Sequence, residues 1–399
     1  MSQTPNEPNE QPGWNQPPQQ GWGQAPQYGQ YGAPGNIPGA PNYQPVPAAP
    51  KPGSVSLKPL TLGDIFEGTF KSFKYAPLAI IVPLLIVNVI ITVAAVRYFA
   101  YWATQHLIPL IDKIGTSTGV TIDSPSQISE IFTPEFINSF WSLGIAMAIL
   151  TILGTFVTVF CYGIIAVSVA RGAAGQKTSL GHAIRLASRG LSGLLGIAGI
   201  LTLLYIAATF AALAMTVASL TAIANQSTSY VSALIPIFFV APILGIIILI
   251  MSVKVFASPF TAAVEGVGPL KAITRSWNLT RFNFWRVLGI LLLMGIITSA
   301  AIGIISAPFQ ALTQTQYYTT NYDNLEQVRT MISSTSWAQA ILSGVTGALS
   351  SIIMTVVATM LYLDLRFRHE QLHFTIAREV ESGNQPEIPG ESAQASTMR

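Results

Sequence analysis

The residues best suited to chemistry stand near the C-terminus, where His369, Glu370 and His373 read H-E-Q-L-H. On a continuous helix this spacing stacks two imidazoles on one face and sets the carboxylate to act as general base for a zinc-bound water. That is the metal helix of a zinc metalloprotease. The neighbouring residues argue against it. Arg366 and Arg368 precede the motif, Thr375 follows where an apolar residue is usual, and the third ligand has no candidate except Glu387 and Glu391 in a Pro/Gly/Ser-rich stretch. The same residues pair four apart, Asp364 with Arg368 and Arg366 with Glu370, as a solvated helix leaving a membrane would pair them. On that balance no catalytic residue, no metal and no other cofactor is expected.

A second chemistry is open to the cations. His182, Arg185 and Arg189 line up at spacings of three and four, as do Lys271, Arg275 and Asn278. Each stripe lies opposite an apolar one: Leu180, Ile184, Ala187 and Leu191 in the first case, Leu270, Ile273, Trp277 and Phe284 in the second. An earlier segment repeats the pattern with Leu62, Ile65, Phe66, Thr69, Phe70 and Phe73. Such helices lie in a membrane interface with their apolar side among acyl chains and their cations near lipid phosphates, each exposed cation adding at most about 1 kcal/mol on an anionic leaflet. Lys71, Lys74, Arg185, Arg189, Lys271, Arg275, Arg281 and Arg286 are therefore expected to face lipid headgroups. Anchoring alone explains the same residues.

The elements that must position these groups are membrane spans. Half the residues are hydrophobic and 9% are charged, with a mean hydropathy of +0.50, too apolar for a surface facing water. A hydrocarbon core about 30 Å thick needs about 20 apolar helical residues. Six segments qualify, at 78–96, 141–170, 191–222, 231–253, 287–307 and 337–363, with Trp102, Trp141, Tyr230, Trp285 and Trp337 at or near their ends. Loops carrying Arg171, Lys177, Arg185 and Arg189, and Lys254, Lys271, Arg275, Arg281 and Arg286, are strongly basic and read as cytoplasmic. The alternate loops carry Asp112, Asp123, Glu130 and Glu135 against Lys113, then Asp323 and Glu326 against Arg329, while 225–229 is uncharged; these read as external. Both termini then lie in the cytoplasm. The net charge of +3 is accounted for by this topology, and no nucleic-acid partner is expected. The lone Cys161 excludes an intramolecular disulfide, and the first span is expected to act as an uncleaved insertion signal.

Residues 1–56, rich in Pro, Gln, Gly and Asn, read as a disordered cytoplasmic tail, 57–376 as the transmembrane domain, and 377–399 as a second disordered tail. Trp14, Trp22, Tyr28, Tyr31 and Tyr43 give the first tail the means for weak multivalent contacts with protein partners. The stretches at 60–85, 179–204 and 268–293 share one design: a short amphipathic helix with a basic end, then a span. The expected fold is thus all-α: a polytopic membrane protein of six transmembrane helices in three elbow-plus-hairpin pseudo-repeats. Within it, Ser343, Gly347, Ser351 and Thr355 in the sixth span and Ser299, Gly303 and Ala307 in the fifth recur every four residues and are expected to face inward, where small side chains let backbones approach.

The stretches PLTLGDIFEGTFKSFKYAP, ITRSWNLTRFNFWRVLGILLL and LYLDLRFRHEQLHF resemble signature stretches of an actinobacterial six-span family labelled "glycerophosphoryl diester phosphodiesterase membrane domain". The resemblance runs from about Leu60 to Ile376 and implies a role near envelope lipids. It implies no activity, since the chain has neither the His-Arg-Gly opening nor room for the barrel of a phosphodiesterase. The functional expectation is a non-catalytic protein of a bacterial cytoplasmic membrane, a scaffold or accessory factor for envelope lipid metabolism that contacts anionic lipids. The alternative is an uncoupled lipid or amphiphile transporter, which Pro83, Asn88, Pro236 and Pro242 would serve as kinks and which the lack of Asp or Glu in mid-span restricts to uncoupled movement. The zinc protease is the third reading.

Overall fold

The computed structural model describes residues 51–109, 134–204, 206–207, 230–319 and 324–382. The tail to residue 50, Asp112, Lys113, Asp123, Glu130, Asp323, the far half of the third expected span, the 225–229 loop and residues 383–399 with Glu387 and Glu391 lie outside the described residues. The described residues are helical, with no strand among them. In chain order the helices are α1 (Leu62–Ser72), α2 (Pro77–Trp102, continued by a π turn at Ala103–Leu107), α3 (Pro134–Ala173), α4 (Leu180–Arg189) and α5 (Leu191–Leu204). There follow α6 (Tyr230–Val255), α7 (Ser258–Glu265), α8 (Pro269–Thr280), α9 (Phe284–Thr319), α10 (Leu325–Glu370) and α11 (Leu372–Glu381).

Five stretches are long and apolar enough to cross a membrane: Pro77–Leu107, Trp141–Ala173, Gly245–Glu265, Phe284–Thr315 and Glu326–Glu370. The bent pair α4 and α5, with 74° between its arms, brings the number to as many as six. Ile90, Leu153, Ile246, Ile296 and Ile304 along these helices are exposed, an apolar surface that a bilayer covers and water would not tolerate. The chain is a membrane protein built of helices.

Three short helices each lead into a long one: α1 into α2, α4 into α5, α8 into α9. Local chemistry sets two of the starts. Thr61 Oγ1 accepts from the Asp64 amide at 3.2 Å while Asp64 Oδ2 accepts from the Thr61 amide at 2.9 Å, a reciprocal capping box. Ser179 caps α4 by accepting from the His182 amide. The face each short helix turns into the protein combines small residues with one large apolar one: Gly68, Thr69 and Ser72 with Ile65; Ala183 and Ala187 with Leu186; Ala272, Ser276 and Thr280 with Leu279. Large apolar groups such as Phe70, Leu270 and Trp277 remain exposed. In α1 the expected outward stripe is split, for Ile65 and Thr69 are fully buried. Small side chains allow close helix approach, whereas lipid accepts the large ones at no cost in burial.

The inward stripe of α10 lies one residue away from the expected one. Gly344, Ala348, Ile352, Val356 and Met360 are buried, Gly347 and Ser351 are half-buried, and Ser343 is exposed; Thr355 is buried as expected. A Cβ on Gly344 would stand 2.8 Å from Val89 Cα on α2, the helix against which α10 packs most extensively. In α9 the expected stripe is reversed, since Ser299, Gly303 and Ala307 are exposed while Met294, Thr298 and Ser306 turn inward. Two adjacent stripes of similar size compete on each helix, and contact with the neighbour selects one.

Two further features depart from the expected layout. Residues 51–60 are packed onto the helices as a strap: Val55, Leu57 and Leu60 are buried, and the Ser54 amide donates to Gly172 O at 3.0 Å. The first six of these residues belong by composition to the tail yet pack with the helices, and at the other end α11 extends the helical part to Glu381. The second feature is α7, buried along Ser258–Val264. It ends at Gly266, whose left-handed backbone (φ +64°) lets its amide bond Ala262 O. A seam of Gly190, Gly193 and Gly196 receives α7 and the turn after it, leaving no space for a Cβ at any of the three positions.

Gly190→Ala therefore drives a methyl into the Ala262 carbonyl and is expected to cost about 1–3 kcal/mol. Gly303→Ala enters open space and is expected to be neutral or slightly stabilising, because Ala is the better helix former. The buried Cys161, the chain's single cysteine, reports both: thermal exposure of its thiol to a maleimide dye in detergent should shift to lower temperature for Gly190→Ala only.

Candidate functional site

The H-E-Q-L-H motif is not on one helix. α10 ends at Glu370, Gln371 takes a left-handed backbone (φ +53°), and α11 starts at Leu372. The three residues consequently face different partners. His369 stays at the surface with Nε2 3.1 Å from Asn283 Nδ2. Glu370 accepts from Arg366 Nε at 2.9 Å and pairs with Arg275 Nη2 at 2.6 Å. His373 turns inward, its ring centroid 5.9 Å from Phe367 and 4.1 Å from Phe374. Burial pushes the His373 imidazole below the usual histidine value, and a hydrogen bond with the Phe367 backbone offsets only part of this. The shared face that a metal helix needs is lost at Gln371, and among the described residues no three His, Cys, Asp or Glu side chains are grouped to hold a metal.

The same stretch holds the most concentrated polar chemistry of the fold. Asp364 is wholly buried. Its carboxylate accepts from the Leu60 amide at 2.7 Å, from Arg286 Nη2 at 3.0 Å and Nε at 3.2 Å, and from Arg368 Nε at 3.0 Å. The two guanidiniums also donate to the Leu60 carbonyl, Arg286 Nη2 at 2.7 Å and Arg368 Nη2 at 2.9 Å. Both polar groups of one backbone residue in the strap are thus held by three side chains from α9 and α10. The Asp364–Arg368 pair is the one expected from spacing, but its carboxylate is wholly buried and only the arginine reaches the surface.

Beside it lies a second cluster. Glu265, at the end of α7, pairs with Arg275 of α8, accepts from Tyr362 Oη at 2.7 Å and lies 3.8 Å from Arg366 Nε. Arg366 is almost fully buried and also donates to Tyr362 Oη at 3.3 Å. Two carboxylates face two guanidiniums here, so the charges balance. Burial disfavours the charged form of Arg275, yet Glu265 and Glu370 more than compensate and raise its pKa. Ser276, buried one residue on, donates to Lys254 O at 2.8 Å and accepts from the Ala257 amide at 3.2 Å, fixing α8 against the α6–α7 junction.

The eight cations expected at lipid headgroups divide accordingly. Arg275 and Arg286 are half-buried and paired, Arg275 with Glu265 and Glu370 and Arg286 with the wholly buried Asp364, so one edge of each guanidinium is committed within the protein. Lys71 lies in an exposed group with Glu67 and Lys51; hydrogen bonds from Lys71 and Lys51 pull the Glu67 carboxyl down to about 2. Lys74, Arg185, Arg189, Lys271 and Arg281 are exposed, and Arg281 sits 5.4 Å from the Phe282 ring centroid. No carboxylate pairs with these five among the described residues.

Sequence reasoning missed Leu60, Glu265 and Tyr362, and misjudged the surroundings of Asp364 and Arg366. A signal for Glu265 was present, since it is the only carboxylate between residues 254 and 286, among five cations. Nothing in the sequence pointed to Leu60, whose part is played by its backbone.

Asp364→Asn leaves Arg286 and Arg368 facing a neutral amide and is expected to cost about 3–5 kcal/mol, read as earlier Cys161 exposure on heating and as faster thermolysin cleavage before Val55 in the strap. Glu67→Gln, which alters an exposed pair, should change neither. For His373 the folded-state pKa lies below that of the unfolded chain, so the unfolded state binds more protons as pH falls through about 6.5. Stability is then full above that value and declines below it. Between pH 7.5 and 5.5 the melting temperature should fall in the wild type, and His373→Phe should remove most of that slope.

The family model for a domain of unknown function, DUF7847, matches residues 60–365, about three-quarters of the chain. No match was found among curated proteins or solved structures. The two ends of the matched region fall at Leu60 and beside Asp364, the residues joined by the buried hydrogen bond. The helical unit closed by that clamp is therefore the family's domain, and the chain belongs to the DUF7847 family.

Proposed function

We propose that this protein is a non-catalytic, multi-pass component of a bacterial cytoplasmic membrane, with both termini in the cytoplasm, that serves as a scaffold or accessory factor in envelope lipid metabolism. In this reading it crosses the bilayer six times in three elbow-plus-hairpin units, and the basic end where α1, α4 and α8 lie is the cytoplasmic one. The observation that carries it is the surface of the short helices: Arg185, Arg189, Lys271 and Arg281 without carboxylate partners among the described residues, beside Phe282 at 78% and Trp285 at 80% exposure. Cations interleaved with exposed aromatic rings suit the headgroup layer of an anionic leaflet. The resemblance to phosphodiesterase membrane domains points the same way.

Coupled transport is less well supported. Arg97, the cation within the described length of α2, is satisfied by Ser333 O at 2.9 Å, Ser336 and the Trp337 ring. Asn88 in the same helix donates to Leu84 O at 3.0 Å, so its amide is satisfied within its own helix.

The test combines topology, lipids and partners. Reporter fusions near Arg185 and Lys271 should read cytoplasmic. Lipids retained in mild detergent should be enriched in anionic species, and the combined change of Arg185, Arg189, Lys271 and Arg281 to Gln should abolish the enrichment. Removing residues 1–48, which spares the strap, should remove co-purifying partners but not insertion. External reporters, or retained lipids matching the bulk membrane together with unchanged partners, would overturn the reading.

A further inference from the structure

The two charge clusters differ in one respect that gives the first of them spare capacity. Around Glu265 and Glu370 two carboxylates meet two guanidiniums. Around Asp364 one carboxylate meets two guanidiniums, leaving an excess of one positive charge. The carboxylate is buried behind the guanidiniums, while the Arg286 and Arg368 side chains are each 32% exposed. Arg286 uses Nε and Nη2, and Arg368 uses Nε and a single bond from Nη2. The Nη1 groups of both have no protein acceptor among the described residues. Their Nη2 atoms share the Leu60 carbonyl, so the two guanidiniums stand side by side with inner edges fixed. Asn283, three residues before Arg286, and His369, next to Arg368 in the chain, are held to each other at 3.1 Å, and Phe282 lies next to His369 with ring centroids 6.3 Å apart.

We propose that the outer edges of Arg286 and Arg368, together with Asn283 and His369, form a binding site for a phosphate group, supplied by a membrane lipid or by a soluble phosphate. Fixed, planar guanidiniums with free N–H groups match phosphate oxygens, and little side-chain entropy remains to be lost because Asp364 and Leu60 already hold both arginines. The surroundings favour the lipid source: exposed Phe282 and Trp285 lie within four residues of Arg286 in the chain, and the exposed Leu292, Leu293 and Ile296 continue along α9, a path for acyl chains. Choice of the lipid source rests on the membrane reading above; the phosphate site rests on the charge cluster alone.

The experiment uses the full chain in mild detergent, titrated with dihexanoyl phosphatidic acid, dihexanoylglycerol and inorganic phosphate. Saturable binding of one equivalent of dihexanoyl phosphatidic acid is expected, with no binding of dihexanoylglycerol. Arg368→Gln should weaken it at least tenfold and Arg329→Gln, near the other end of α10, less than twofold. Because Arg368→Gln also loosens the strap, the unmodified chain supplies a second readout: bound phosphatidic acid should protect Arg286 and Arg368, but not the exposed Arg329, from phenylglyoxal. Equally tight binding of inorganic phosphate with the same protection keeps the site and assigns it to a soluble phosphate. Absence of saturable binding by both phosphate probes, or binding without protection of these two arginines, overturns the site. If lipid enrichment dependent on Arg185, Arg189, Lys271 and Arg281 persists in that case, the scaffold reading stands while this site falls.

Discussion

A carboxylate buried without water must find its hydrogen bonds within the protein, and Asp364 finds them on the strap and on two arginines. Unpaired, that charge could not be kept in the interior. Its demand brings together Leu60, the start of α9 and the end of α10, positions separated by more than 300 residues at the extremes. The packing of α1, the path of the strap and the seating of α8 through Arg275 follow from satisfying this end of the molecule.

The rest of the length is organised by a different force. Lipid does not drive apolar helices together, so association relies on close approach. Contacts are closest where glycine removes the side chain: Gly344 against Val89, and Gly190, Gly193 and Gly196 against α7 and the turn that follows it. Large residues that a soluble protein would bury, among them Ile296, Ile304 and Trp285, stay outside. The fold is thus held at one end by charge and along its helices by the absence of side chains.

The motif at His369, Glu370 and His373 shows why spacing alone is a weak guide to chemistry. Its reading as a metal site assumed a helix continuing through Gln371. The left-handed turn there is compensated by the docking of α11 through Leu372, His373 and Ile376, a tertiary gain absent from any local pattern. Glu370, the imagined general base, instead neutralises two arginines.

What the sequence by itself determined was the all-helical class, the membrane as solvent and the short helices near 62, 180 and 270, since these depend on length, hydropathy and capping residues such as Thr61 and Ser179. It also held the pairs Asp364–Arg368 and Arg366–Glu370, because four-residue spacing is a local property of a helix. Only the tertiary structure decided which of two adjacent small-residue stripes faces inward, that Arg275 pairs with Glu265 and Glu370 and Arg286 with Asp364, that α7 is buried along Ser258–Val264, and that Leu60 closes the clamp. Each of these depends on partners distant in the chain, and in the case of Leu60 on backbone groups that every residue carries and no sequence pattern can single out.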